Sequence, residues 1–464
     1  MKTILLTLTA ALAGLANAAP VRAFLTTADQ QHLLAASAVA EPAAKADAVI
    51  RIDTRHRHQR IAGFGASITE GSAWLIRHGL KDAQRGALMR ELFTREDGGL
   101  GFELTRLTIG ASDFSRRHYS LDDMPSGQAD PELKHFSLDP ERADVVPLTR
   151  QALALNPALQ VMASPWSAPG WMKTTDSLVK GQLKPEFHGA FARYLVRYVD
   201  AMQAEGVPIF ALTLQNEPHF EPNDYPGMRM PPATRAAVVG EHLGPLLKAR
   251  GLKTQILEWD HNWDQAWSPL SMLADAKARQ YVSGVAWHCY EGDVSAQSEV
   301  ARHFPKLDVW LTECSGGEWK PHWAETLPWM MRNLVIGGTR NGARGVLMWN
   351  LALDPAYGPH LGGCTDCRGM VTIDPATGQV TRNMEYYAFG HASRFVRQGA
   401  WRVDSETAAG GKPGLDHVAF TNPDGSTVLI VSNSAAAPRR FTVQAPGRRF
   451  AYELPASGVA TFVW

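Results

Sequence analysis

The chain has 464 residues, 45% of them hydrophobic and 20% charged, a globular composition that excludes a disordered or low-complexity protein and leaves room for one large domain or two. Lys plus Arg and Asp plus Glu both number 46, so no net field gathers polyanions and nucleic acid is not an expected partner.

The chain opens Met1-Lys2-Thr3, continues with an apolar stretch over 4–15 and closes on Ala16-Asn17-Ala18. One cation, a short hydrophobic region and a small-x-small ending predict a secretory signal over 1–18, cleaved after Ala18, and export to the periplasm or the medium. No later segment approaches the roughly 20 uninterrupted apolar residues of a membrane span, so the mature chain is expected to lack an integral membrane segment. Residues 19–60 follow, and the alternation Ala48-Val49-Ile50-Arg51-Ile52-Asp53 suits a strand that belongs to a sheet elsewhere. The basic cluster Arg55-His56-Arg57-His58 reads as a solvated strand or loop rather than a binding patch.

From 61 to 385, apolar runs of strand length alternate with helical patterns. Strands are expected over 61–68, 102–109, 159–163, 209–215, 254–258, 282–287, 308–312 and 345–349. The clearest helix covers 186–202: Phe187, Phe191, Tyr194, Leu195, Tyr198 and Met202 fall on one stripe, and Pro185 suits a first turn. Eight such units predict an α/β fold, a (β/α)8 TIM barrel whose reactive groups stand at the carboxyl ends of strands. From 386 to 464 the pattern changes to short alternating strands, including a hairpin over 415–431 turned by Asn422-Pro423-Asp424-Gly425. This is an accessory antiparallel β-sandwich, small for an independent unit and expected to be completed by strands from 19–60.

Two glutamates end strands of the barrel pattern: Glu217 in Asn216-Glu217-Pro218-His219, closing the fourth, and Glu313, closing the seventh. A pair of carboxyl groups flanking one bond is what glycoside hydrolysis requires, one to protonate the leaving oxygen and the other to attack or to activate water. Of four cysteines, Cys364 and Cys367 are expected to form a small disulfide loop, and Cys289 and Cys314 are read as free thiols at strand ends. Zinc is the alternative, at His288 with Cys289 or at His360 with Cys364 and Cys367, but neither set supplies a full ligand shell, and no metal or organic cofactor is expected.

Seven strings in order, GFGASITEGSA at 63–73, ASDFS at 111–115, ASPWSAPGWMK at 163–173, QNEP at 215–218, HCY at 288–290, TECSGG at 312–317 and WNLALDPAYGP at 349–359, together resemble glycoside hydrolase family 30, which includes the glucosylceramidases. The resemblance runs from about residue 60 through the sandwich. It implies a retaining, two-glutamate double displacement with Glu217 as acid/base and Glu313 as nucleophile, acting on β-linked glucosyl units. It further implies that Asn216 binds the sugar 2-hydroxyl, that Asp113 binds sugar hydroxyls, and that His288 and Tyr290 stand near the nucleophile. Trp166 and Trp349 offer flat apolar faces to a pyranose ring. The division of labour predicts Glu217 with a raised pKa and Glu313 ionised. The loop HLGGCTDCRG at 360–369 resembles that of microbial members, some of which cleave β-1,6-glucans, so the expected substrate is a β-glucan or a glycolipid. The alternatives are β-xylosidase or β-fucosidase specificity on the same fold, a non-catalytic carbohydrate-binding barrel, or a metal-dependent hydrolase. Oligomeric state is not legible.

Overall fold

The computed structural model describes residues 20–41 and 46–464, and the expected signal over 1–18 lies outside the described residues. Eight parallel strands close a barrel: β1 Gly63–Ser67, β2 Leu104–Ile109, β3 Gln160–Pro165, β4 Ile209–Thr213, β5 Gln255–Asn262, β6 Val282–His288, β7 Asp308–Glu313 and β8 Ala343–Asn350. Neighbours in the ring follow chain order, and β8 pairs with β1 to complete it. Every strand falls on an expected segment, because strands covered on both faces read as near-continuous apolar runs. The expected helix is a single 3-10 turn, Pro185–Phe187, leading into His188–Ala204, with Phe191, Tyr194, Leu195, Tyr198 and Met202 all buried. Among the described residues no helix is long and apolar enough to cross a membrane.

Alternate residues of a barrel strand face the interior. Towards the amino-terminal ends these are apolar, and Leu104, Met162, Ala211, Leu257, Ala286, Trp310 and Leu347 pack into one cluster. Two residues further along, the same parity presents Arg106, Ser164, Thr213, His288, Thr312 and Trp349. A hydrocarbon plug thus supports a polar layer, and the polar layer supports the site.

Irregular backbone adds groups that parity alone would turn away. In β5 the ladder slips between Trp259 and His261, where Trp259 and Asp260 have φ of 79° and 63°, and Asp260 swings inward. In β7 it slips between Leu311 and Glu313, so both Thr312 and Glu313 reach the interior. Glu217, just past β4, has φ of 47°. Non-glycine residues held in that region cost on the order of 1–3 kcal/mol each and persist where the surroundings over-determine them.

Nine further strands form a sheet folded around its own core of Ile50, Val403, Leu429, Phe441, Phe450 and Phe462, among others. The expected hairpin is present, Leu415–Thr421 pairing with Thr427–Asn433. From the start of the chain, Arg22–Thr26 pairs with Val459–Val463, and Ala48–Arg60 lies between Trp401–Thr407 and Arg439–Ala445. The cluster 55–58 is exposed on that long strand. Helix Met384–Ser393 leads from the barrel into the sheet, and its buried His391 meets Thr26 Oγ1 at 2.8 Å and Thr461 Oγ1 at 2.9 Å.

The expected Cys364–Cys367 disulfide is formed. Cys289 and Cys314 are not free thiols: they form a second disulfide with Cα atoms 5.3 Å apart. The reason is register. His288 and Glu313 are paired across β6 and β7, so the next residue of each strand meets the other. With all four thiols oxidised, neither zinc set keeps its thiolates.

Candidate active site

A cavity of about 510 Å3 opens at the carboxyl ends of the barrel strands. Asn216, Glu217 and Glu313 line it beside Trp166, Trp349, Asp113 and Tyr290, so seven of the eight residues singled out in the sequence share one chamber. The eighth, His288, is fully buried beneath.

His288 Nδ1 lies 3.0 Å from Glu217 Oε1 and 3.9 Å from Glu313 Oε1, and its Nε2 lies 3.1 Å from Asp260 Oδ1. Tyr290 Oη donates to Glu313 Oε1 at 2.9 Å. On the opposite side Arg106 donates through Nη1 to Glu313 Oε2 at 2.7 Å, and through Nη2 to Asn216 Oδ1 at 2.7 Å and Asp260 Oδ2 at 2.8 Å. By taking the Asn216 oxygen, Arg106 fixes that amide's orientation at the cavity wall. Trp166 and Trp349 stack at 4.8 Å with 17° between planes, and the Arg106 guanidinium sits 4.8 Å and 5.5 Å from their ring centres. The two indoles are therefore both buried core and cavity floor.

Arg106 and Asp260 were not singled out in the sequence, although a lone charge inside an apolar barrel strand is a signal of function. Asp260 collects donors from the whole polar layer: Ser164 Oγ at 2.8 Å, Thr213 Oγ1 at 2.7 Å and Thr312 Oγ1 at 2.6 Å, besides Arg106 and His288. Burial alone would raise its pKa, but Arg106 and these partners hold it well below the usual carboxylate range. At His288 burial opposes the charged form, yet the field of Glu313 and the bonds to Asp260 and Glu217 outweigh it and raise the ring to about 10. His288 is then a cation donating from both nitrogens. Glu217, His261 and His288 bring ligand-type atoms within 4.8 Å of one another, with His288 Nδ1 and Glu217 Oε1 hydrogen-bonded within the trio. His261, pushed down to about 4 by burial, is neutral.

Two buried cations, Arg106 and His288, thus face Asp260 and the glutamate pair. Charge balance accommodates one further anion, so Glu217 and Glu313 hold one proton between them. Burial and the charge of Glu217 raise Glu313 despite His288 and Arg106, whereas at Glu217 the effect of burial is overcome by the hydrogen bond and charge of His288, and the carboxyl is lowered. This order is the reverse of the expectation from sequence, because the imidazolium against Glu217 follows from barrel geometry. Asp113 is raised well above the usual range by burial and by the charges of Glu313 and Glu217. It sits under the 360–368 loop: Leu361 N donates to its carbonyl at 2.8 Å, and a Cβ on Gly363 would come within 2.5 Å of Asp113 Cβ.

A family model described as the glycosyl hydrolase family 30 TIM-barrel domain matches residues 61–396, and one for the same family's β-sandwich domain matches 399–462. An endo-1,6-β-D-glucanase of Neurospora crassa is 36% identical over 404 residues, 84% of this chain and 82% of that protein. The lysosomal acid glucosylceramidase of Mus musculus is 27% identical, over 90% of this chain and 83% of its own length. Among solved structures, an endo-β1,6-glucanase superposes with a TM-score of 0.88 at 32% identity, covering 96% of this chain and 99% of that one. With both of its domains matched and its relatives aligned along most of their length, this chain belongs to glycoside hydrolase family 30 and is a β-glycosidase.

Proposed function

We propose that this protein is an exported, retaining endo-β-1,6-glucanase in which Glu313 is the nucleophile and Glu217 the acid/base. The observation that carries the mechanism is the shared contact of both carboxylates with one imidazole nitrogen, at 3.0 Å and 3.9 Å. Together those two distances cap the separation of the contacting oxygens below the middle of the inverting range of about 6.5–9.5 Å, and they accommodate the roughly 5–5.5 Å of retaining enzymes. Glu313 is gripped by Arg106 and Tyr290, which suits a nucleophile that must be aimed at one carbon. As a sugar on the Trp166 and Trp349 floor gains oxocarbenium character, its positive charge favours Glu313 as the anion, and the pair's proton then belongs to Glu217, where the leaving oxygen takes it. Asn216 is assigned to the sugar 2-hydroxyl and Asp113 to further sugar hydroxyls.

The β-1,6-glucan preference is supported by the glucanase relatives at 36% and 32% identity, against 27% for the glucosylceramidase. The test is product analysis on β-1,6-glucan, β-1,3-glucan, xylan and glucosylceramide with wild type and Glu313→Gln. Oligosaccharides of mixed length from the 1,6-linked polymer, lost in the variant, are expected. Unchanged turnover of an aryl β-glucoside by Glu313→Gln would sink the mechanism, and cleavage of glucosylceramide alone would overturn the substrate. Export is tested by N-terminal sequencing of the mature protein, with Ala19 expected first.

A further inference from the structure

Beyond the catalytic chamber lies a second cavity, about 360 Å3, lined in part by Cys289, Met330 and Leu334 and by the side chains of Trp319, Trp329 and Tyr290. Tyr290, Ser315 and Trp319 line both cavities, so the two are adjacent. The three aromatic residues are 40%, 47% and 43% exposed at Tyr290, Trp319 and Trp329, although large aromatic side chains are usually mostly covered.

The wall is built rather than incidental. A Cβ on Gly317 would fall 1.8 Å from Trp319 Cζ3, and one on Gly316 1.8 Å from Glu385 Oε1. Gly317 thus leaves room for the indole against the backbone, and Gly316 leaves room for the Glu385 carboxylate. The pair is further held in register with Cys367 and Arg368. Trp329 faces the same cavity from helix Trp323–Met330, and Lys320, Glu325 and Thr326 add hydrogen-bonding groups. Indole faces with hydroxyl-seeking groups around them match a pyranose ring, whose C–H face is apolar and whose edge is polar.

From the Trp166 and Trp349 floor, a chain that passes Glu217 and Glu313 on the Tyr290 and Trp319 side meets the second cavity. We propose that this second cavity is a leaving-group subsite that takes further glucosyl units of a β-glucan, with Trp329 as its outer stacking platform. The proposal rests on the glucanase reading: a pocket for one sugar needs no aromatic surface beyond it.

The experiment measures kcat/KM for β-1,6-linked gluco-oligosaccharides of increasing length and for an aryl β-glucoside, in wild type, Trp329→Ala and Trp329→Phe. Wild type is expected to gain with each unit that reaches the cavity. Trp329→Ala is expected to lose about tenfold on the long substrates, mainly through KM, and Trp329→Phe to recover most of it. Equal losses on long substrates and aryl glucoside would reduce Trp329 to a structural role, and an unchanged length dependence in Trp329→Ala would overturn the subsite. If instead alkyl β-glucosides gain with tail length and Trp329→Ala abolishes that gain, the cavity holds hydrocarbon and the proposal fails. Wild type leaving every 1,6-linked oligosaccharide intact would refute the glucanase reading itself, an outcome separate from the others.

Discussion

Arg106 lies fully buried in β2, where a guanidinium is tolerated only because carboxylates and an amide meet it. Replacing it with Met would leave Asp260 and Glu313 without their cation. Urea unfolding of Arg106→Met is expected to show a loss of about 3–5 kcal/mol, together with collapse of activity as Glu313 loses its aim. The single proton of the glutamate pair sets the pH dependence. With Glu217 lowered and Glu313 raised, the acid limb of kcat/KM, where the pair takes up a second proton, should lie below the range of an ordinary glutamate, and the alkaline limb, where it gives up its last, above it. On a substrate with an activated leaving group, Glu217→Gln is expected to lose the alkaline limb, and its persistence would assign the acid to another residue. Glu217 and Glu313 were legible in the sequence because each directly follows an apolar run. Arg106 was legible in principle, as the one charge inside Leu104–Ile109, whereas Asp260 was not: two residues of left-handed backbone reverse the parity that a reader of β5 would apply.

At the scale of elements, the barrel strands announced themselves because covered strands need uninterrupted hydrocarbon, and the loop 422–426 announced its hairpin through Pro and Gly. Trp401–Thr407 and Arg448–Leu454 were missed, since their half-exposed faces interleave Arg, Asp and Glu with the apolar positions. The Cys289–Cys314 disulfide was missed for another reason: partnership between residues 25 apart depends on which strands become neighbours. It joins the ends of β6 and β7, next to Tyr290 on one side and Glu313 on the other. The double variant Cys289→Ser/Cys314→Ser is expected to lose about 2–4 kcal/mol of stability in urea. With Tyr290 less firmly held against Glu313, its kcat should fall more than its KM changes, and a double variant with wild-type kinetics would confine the disulfide to stability.

At the scale of the whole molecule, barrel and sheet are pinned together at His391, whose ring burial holds near 3. An unfolded histidine accepts a proton near 6.5, which the folded site refuses until near 3. Stability is therefore complete above 6.5 and declines as the pH drops from there, at up to about 1.4 kcal/mol per pH unit from this group. His417, pushed down to about 4, adds to the same trend. Calorimetry at pH 7 and pH 5 is expected to show a smaller drop in Tm for His391→Gln than for wild type, and an equal drop would place the acid sensitivity elsewhere. The imidazole's two partners come from opposite ends of the chain, Thr26 and Thr461. Since Arg22–Thr26 pairs directly with Val459–Val463, this joint cannot exist until residue 463 has left the ribosome. A strand made among the first of the sheet waits, unpaired on that side, through the synthesis of the whole barrel.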